Sequence, residues 1–264
     1  MSAVLGKLET QAFAYIQMRG KPAVVSEEIS GALSLTAVQT RELLSRLARR
    51  NLIARVRRGL YLVPPRIPPG GRWSPSEFMA LETLLADRDG RHQMCGPSAF
   101  HRYGWDDQVP NRVYAYNNRL SGERRIGSAT LTLIKVSDDR LGGVESFTAP
   151  DGATAVYSSR ARSLIDAVYD WSRFGSLPRA YGWIRDELGQ GKIDGDDLVN
   201  AAVRFGNTGT RRRIGALLER EGLNPAILEK LEGELPATSA LIPWCPTHPK
   251  RGTVDRRWGV VFNE

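Results

Sequence analysis

Residues 36–65, TAVQTRELLSRLARRNLIARVRRGLYLVPP, carry two incompatible periodicities side by side, so no single element can hold them. Residues 36–50 have the marks of a helix. Thr36 is placed to cap it, and Gln39 three residues on completes a Thr-x-x-Gln capping box. Val38, Leu43, Leu44 and Leu47 fall near helical spacing and predict one apolar stripe. Gln39, Arg41, Arg46, Arg49 and Arg50 fall mostly on the other side, and Asn51 can end the helix. From Ile53 to Val63 the pattern alternates instead. It turns at Arg57-Arg58-Gly59, where the glycine supplies the positive φ a tight turn needs, so a β-hairpin is predicted. A basic helix followed at once by a short basic hairpin is the layout of a winged helix-turn-helix. In such a module the helix enters the DNA major groove and the wing lies along the backbone.

Charge supports that expectation. Seven arginines lie between residues 41 and 58, against the single acid Glu42. The 264-residue chain has a net charge of +8, but the excess is local. Residues 1–70 hold 11 Lys/Arg and 4 Asp/Glu, net +7, while the remaining 194 hold 26 and 25, net +1. A basic module joined to a near-neutral second domain fits a polyanionic partner, here double-stranded DNA. Thr36, Gln39, Thr40 and Arg41, at the start of the helix, are expected nearest the base edges, and Gln39 suits adenine. Thr40 also lies on the stripe side, which leaves it open between base contact and core. Arg46, Arg57 and Arg58 suit phosphates, and Arg49, Arg55 and Tyr61 complete the expected interface.

The rest of the chain predicts an α+β protein: the N-terminal module over 1–65, then a mixed α/β domain over 77–264. Residues 4–19 predict an amphipathic helix with Leu5, Leu8, Ala12, Tyr15 and Ile16 on one stripe, and 29–33 a short second helix capped by Ser26-Glu27-Glu28. Residues 64–76, PPRIPPGGRWSPS, contain five prolines and two glycines and are read as a linker, with the domain boundary at 66–76. Ser74 is then the expected cap of a helix with Pro75 in its first turn. Strands are expected within 113–116, 128–136, 144–147 and 153–157. Helices are expected from 159 onward and at 178–188, 196–205, 211–221 and 225–232, and the tail has candidate strands at 240–244 and 258–262.

Several of these stretches, taken in order, resemble the AbiEi family of antitoxins. The wing Arg58-Gly59-Leu60-Tyr61 is similar to that family's Arg/Gly-Gly-x-Tyr. Gly96-Pro-Ser-Ala-Phe-His-Arg-Tyr-Gly104, followed by Gln108-Val-Pro110 and the strand beginning at Arg112, resembles its Gly-x-Ser-Ala-Leu core, with Phe100 in place of the usual leucine. Ala161-Arg-Ser-Leu-Ile-Asp-Ala167 and Thr210-Arg-Arg-Arg-Ile-Gly-Ala-Leu-Leu218 resemble two of its helices. The resemblance implies a non-enzymatic autorepressor that binds repeats in its own promoter, as two copies on paired sites. It further implies a C-terminal domain that counters a nucleotidyltransferase-like toxin in a type IV toxin–antitoxin system.

Other chemistry is thinner. Arg211-Arg212-Arg213 is a candidate second anion or partner site, though a charge run is usually a solvated face. His92, Cys95, Cys245 and His248 form two short pairs with zinc-ligand spacing but no known framework, so neither metal nor cofactor is expected. Ser98 with His101 lacks the strained elbow of a nucleophile. Asp138-Asp139 and Asp194-x-Asp196-Asp197 suit helix caps better than a metal-dependent nuclease. Two alternatives stay open: a stand-alone winged-helix regulator with a ligand-sensing or dimerising second domain, and a DNA-processing nuclease. With no apolar run long enough for a signal peptide or membrane span, a cytoplasmic protein is expected.

Overall fold

The first amphipathic stretch is helical over most of the predicted span 4–19, starting at residue 7, while residue 4 lies outside the described residues. In the computed structural model, which describes residues 5–66 and 71–263, it forms α1, Lys7–Arg19, closed by Gly20 at φ 63°. Ala12, Phe13 and Ile16 are its buried contacts. A short strand, β1 (Ala23–Val25), follows, then α2 (Ser26–Leu33), which begins three residues before the predicted start because Glu28 accepts from the Val25 N–H. Next comes α3 (Ala37–Arg49), and then the hairpin of β2 (Ala54–Arg57) and β3 (Leu60–Leu62). Strand β3 is central: β1 and β2 both pair with it antiparallel, in the order β1-β3-β2. Phe13, Ile29, Leu43, Leu44, Leu47 and Tyr61 share one core between the helices and this sheet.

After the hairpin come α4 (Glu77–Ala86), β4 (His92–Met94), α5 (Pro97–Arg102), β5 (Val113–Asn117), β6 (Gly122–Ile126) and β7 (Ala129–Lys135). Strand β7 stands between β5, parallel to it from Val113↔Leu131 to Asn117↔Lys135, and the antiparallel β6. β8 (Val144–Thr148) and β9 (Thr154–Ser158) close a hairpin in which the Ala149 N–H donates to the Ala153 carbonyl. The helical part runs through α6 (Arg160–Tyr169), α7 (Trp171–Phe174), α8 (Arg179–Gly189), α9 (Gly195–Phe205), α10 (Thr208–Arg220) and α11 (Pro225–Gly233). The tail adds β10 (Ile242–Pro243), β11 (Thr253–Asp255) and β12 (Val260–Phe262), with β12 in the middle. The fold is α+β.

The chain divides into two compact units, though not where the prolines suggest. One holds Met1–His92, Asn111–Leu141 and Ser146–Ala155; the other holds Gln93–Pro110, Gly142–Glu145 and Val156–Glu264. The predicted boundary at 66–76 therefore lies inside the first unit. Residues 67–70 of that stretch lie outside the described ones, but its remainder is held in place. The Trp73 N–H donates to the Asn51 carbonyl (2.6 Å), and Gly71 and Pro75 are buried. Ser74 bonds the Ser128 hydroxyl (2.7 Å) and accepts from the Ser128 N–H (2.8 Å). That is why Ser76, not Ser74, caps α4, accepting from the Met79 N–H. In the second unit, Leu164, Ile184, Val199, Ile214 and Leu217 anchor a helical core with Trp244 and Trp258 from the tail.

Candidate nucleic-acid interface

Helix α3 is fixed at its start by a complete capping box. Thr36 Oγ1 accepts from the Gln39 N–H (3.3 Å), and Gln39 Oε1 accepts from the Thr36 N–H (2.9 Å). Its inner stripe is Thr40, Leu43, Leu44 and Leu47, all at most 1% exposed. The predicted member Val38 is out of phase with these and is 53% exposed. The hairpin turn is set by Gly59 at φ 81°, whose carbonyl accepts from the Ser26 N–H (2.8 Å). The wing is thus tied to the start of α2 as well as to β1.

Between α3, the wing and the first turn of α2 lies a groove of about 1160 Å³. Of the ten predicted DNA contacts, Arg41, Arg46, Arg49, Arg55, Arg57 and Arg58 line it, together with Thr40 and Tyr61. The last two are floor residues, Thr40 in the core stripe and Tyr61, 5% exposed, in the central strand, so neither presents a side chain to a ligand. Thr36 and Gln39 do not line the groove. The Gln39 side-chain carbonyl is engaged in the cap, so the bidentate adenine contact expected of it would require opening the helix start. The sequence reading missed Ser26, Glu27 and Ser30 of α2, and the groove-facing Val38, Glu42 and Ser45. The spacing 38, 42, 45, 49 would have revealed the outer stripe of α3, since it repeats every three or four residues out of phase with the leucines.

The arginines divide by electrostatic state. Arg57 donates through Nε and Nη2 to both oxygens of Asp87 (2.7 and 2.6 Å). This pairing raises the Arg57 guanidinium and holds the Asp87 carboxyl below its ordinary range, against burial, which pushes that carboxyl up. Arg57 is therefore a strut of the wing, not the free phosphate ligand predicted. Burial also pushes Glu9 up, yet the Gly6 N–H, Arg50 (2.7 Å) and Arg46 (3.9 Å) outweigh it and leave its carboxyl lowered. Arg41, Arg49, Arg55 and Arg58 are exposed and have no carboxylate partner among the described residues. Four unneutralised guanidiniums thus line one groove.

The second anion site expected at Arg211-Arg212-Arg213 is not formed. Arg212 and Arg213 are 5% and 8% exposed, and they face the tail rather than solvent. Arg212 donates to the carbonyls of Trp258 (2.5 Å), Ala240 (2.6 Å) and Gly259, and Arg213 donates to that of Pro243 (3.1 and 2.9 Å). Arg211 donates to the carbonyls of Val203 (2.8 Å) and Glu234 (3.1 Å). Gly215 completes this anchor, because a Cβ there would come within 2.1 Å of the Trp258 ring. No three His, Cys, Asp or Glu side chains converge on a metal position among the described residues. Cys95 and Cys245 are buried, and His248 contacts the Asn263 carbonyl (3.3 Å). Asp194 caps α9 by accepting from the Asp197 N–H (2.7 Å), the role its spacing predicted. Ser98 is buried within α5.

No protein-family model and no curated protein matches the chain. Its fold has a solved counterpart. The chain is similar to the crystal structure of the RV2827C protein from Mycobacterium tuberculosis, with a TM-score of 0.63 at 16% identity. The match covers 97% of this chain and 92% of that one. At this identity the likeness is one of fold. Among the described residues no helix is long and apolar enough to cross a membrane.

Proposed function

We propose that this chain binds double-stranded DNA as a winged helix-turn-helix, laying α3 in the major groove and the β2–β3 wing along the backbone. The observation that carries this reading is the convergence of Arg41, Arg49, Arg55 and Arg58, all without carboxylate partners, on one groove between a capped helix and a tied hairpin. A groove lined by six arginines against the two acids Glu27 and Glu42 suits a polyanionic rod better than a small anion. The element order α1-β1-α2-α3-β2-β3 supports the same reading. The biological role follows from the ordered motifs that resemble AbiEi antitoxins. The protein is a cytoplasmic repressor of its own promoter, binding as two copies on paired repeats, and its remaining chain counters a nucleotidyltransferase-like toxin. It acts by binding and not by catalysis.

A gel-shift with DNA from upstream of its own gene tests the first half. Wild type retards that fragment, and a variant with Arg49, Arg55 and Arg58 all changed to Ala loses the retarded band while keeping its circular dichroism. A wild type that retards no duplex at low salt refutes the reading. Co-expression with the neighbouring gene tests the second half: growth rescue supports antitoxin action. If the neighbour is toxic and is not rescued, that role is removed and DNA binding stands.

A further inference from the structure

We infer that Val38 reads the 5-methyl group of a thymine in the DNA taken up by this groove. The inference rests on the DNA-binding reading above and adds a base preference to it. Val38 is the second residue of α3, in the turn that meets base edges when a recognition helix enters the major groove. It is among the few large apolar side chains more than half exposed among the described residues, and it lines the groove together with Ala37, Arg41 and Glu42. Packing does not account for it, since the core stripe of α3 is Thr40, Leu43, Leu44 and Leu47. Local propensity does not either, because a β-branched residue is a poorer helix former than its neighbour Ala37.

The major groove offers one apolar feature among the four standard bases, the methyl carbon of thymine. The other outward residues of the turn read different groups. Arg41 donates only, which suits guanine, and Glu42 accepts only, which suits the cytosine amino group. Neither competes for a methyl. Met18, more exposed still, does not line the groove, and Ala37, which does, offers a single methyl, so Val38 supplies the larger aliphatic surface where bases would pass.

In vitro selection with the full chain on a random duplex library defines the sequence it retains. The selected duplex is then remade with deoxyuridine in place of thymidine, one position at a time, which removes a methyl and no hydrogen-bonding group. One such replacement should weaken wild-type binding about fourfold, the value of burying one methyl-sized group. The same replacement should leave a Val38→Ala variant unaffected. That variant should keep the wild-type circular dichroism and thermal midpoint, since a half-exposed side chain contributes little to the core. A loss that persists in Val38→Ala overturns the inference, as does a wild type indifferent to every thymine methyl. Salt-sensitive binding with no enriched sequence also sinks the thymine contact while leaving DNA binding intact. A chain that retains no duplex at any salt concentration sinks both.

Discussion

Two arginines separated by one residue, Arg55 and Arg57, do different work, and experiment can separate them. Arg55 has no acid partner among the described residues, whereas Arg57 is held by Asp87. Changing Arg55 to Ala should weaken binding to all duplexes alike and reduce the slope of log affinity against log salt by roughly one. Changing Asp87 to Asn should do the opposite, releasing Arg57 and steepening the slope. It should cost about 1 kcal/mol of stability, because the Arg57 side chain is 42% exposed while that of Asp87 is only 13% exposed. Filter binding across a salt series reads both. His92 gives a pH prediction. Burial lowers its imidazole to about 4 from an ordinary 6.5, so the unfolded chain binds the extra proton between those values. The stabilising effect of its neutral form is complete above pH 6.5 and is lost as pH falls to about 4. His92→Gln should flatten the urea-unfolding midpoint across that window. At this scale the sequence was partly legible. The arginine cluster was visible, but Asp87 lies thirty residues from Arg57 and leaves no local trace, and Val38, read as near enough to helical spacing to join the leucine stripe, is out of phase with it and exposed.

Among the elements, those with strong local signals were predicted where they occur. Helix α3 is the clearest, with its box at Thr36 and Gln39. Thr36→Ala should lower stability by about 1 kcal/mol, seen as a lower thermal midpoint, with the Gln39 side chain released from its cap. An unchanged midpoint would mean the box is idle. The hairpin was equally plain, since Gly59 at φ 81° occupies a conformation that other residues adopt at a cost. Strands β1, β6 and β11 were missed. The first has three residues and is fixed only by pairing with β3 across some forty residues of chain. The second reads GERRI, exposed along most of its length, and has no alternating face because it borders the sheet with β7 as its partner. Its strand character comes from the partner.

For the molecule as a whole, the fold class was readable and the partition was not. A proline-rich segment looks like a tether until Trp73, Ser74 and Pro75 are seen to be bonded or buried, and those bonds join residues far apart in sequence. The three consecutive arginines of α10 misled for a related reason. A charge run resembles a surface, but here two guanidiniums satisfy backbone carbonyls of a tail with little regular structure. Arg212→Met keeps much of the stem and removes the donors. The three orphaned carbonyls, at about 1–3 kcal/mol each, should lower the thermal midpoint by roughly 6 °C or more. Residues 236–263 should become open to limited proteolysis. If the tail stays protected, Arg212 is not what holds it.

The bond from Ser26 to the Gly59 carbonyl has a mechanical consequence. A finger fastened at its tip to one helix and along its side to β1 cannot splay, so the gap between it and α3 is set before any nucleic acid arrives. Any duplex entering that gap must supply the bending itself. Sites rich in compliant pyrimidine–purine steps should then be retained over stiff A-tracts, even at base pairs no side chain touches.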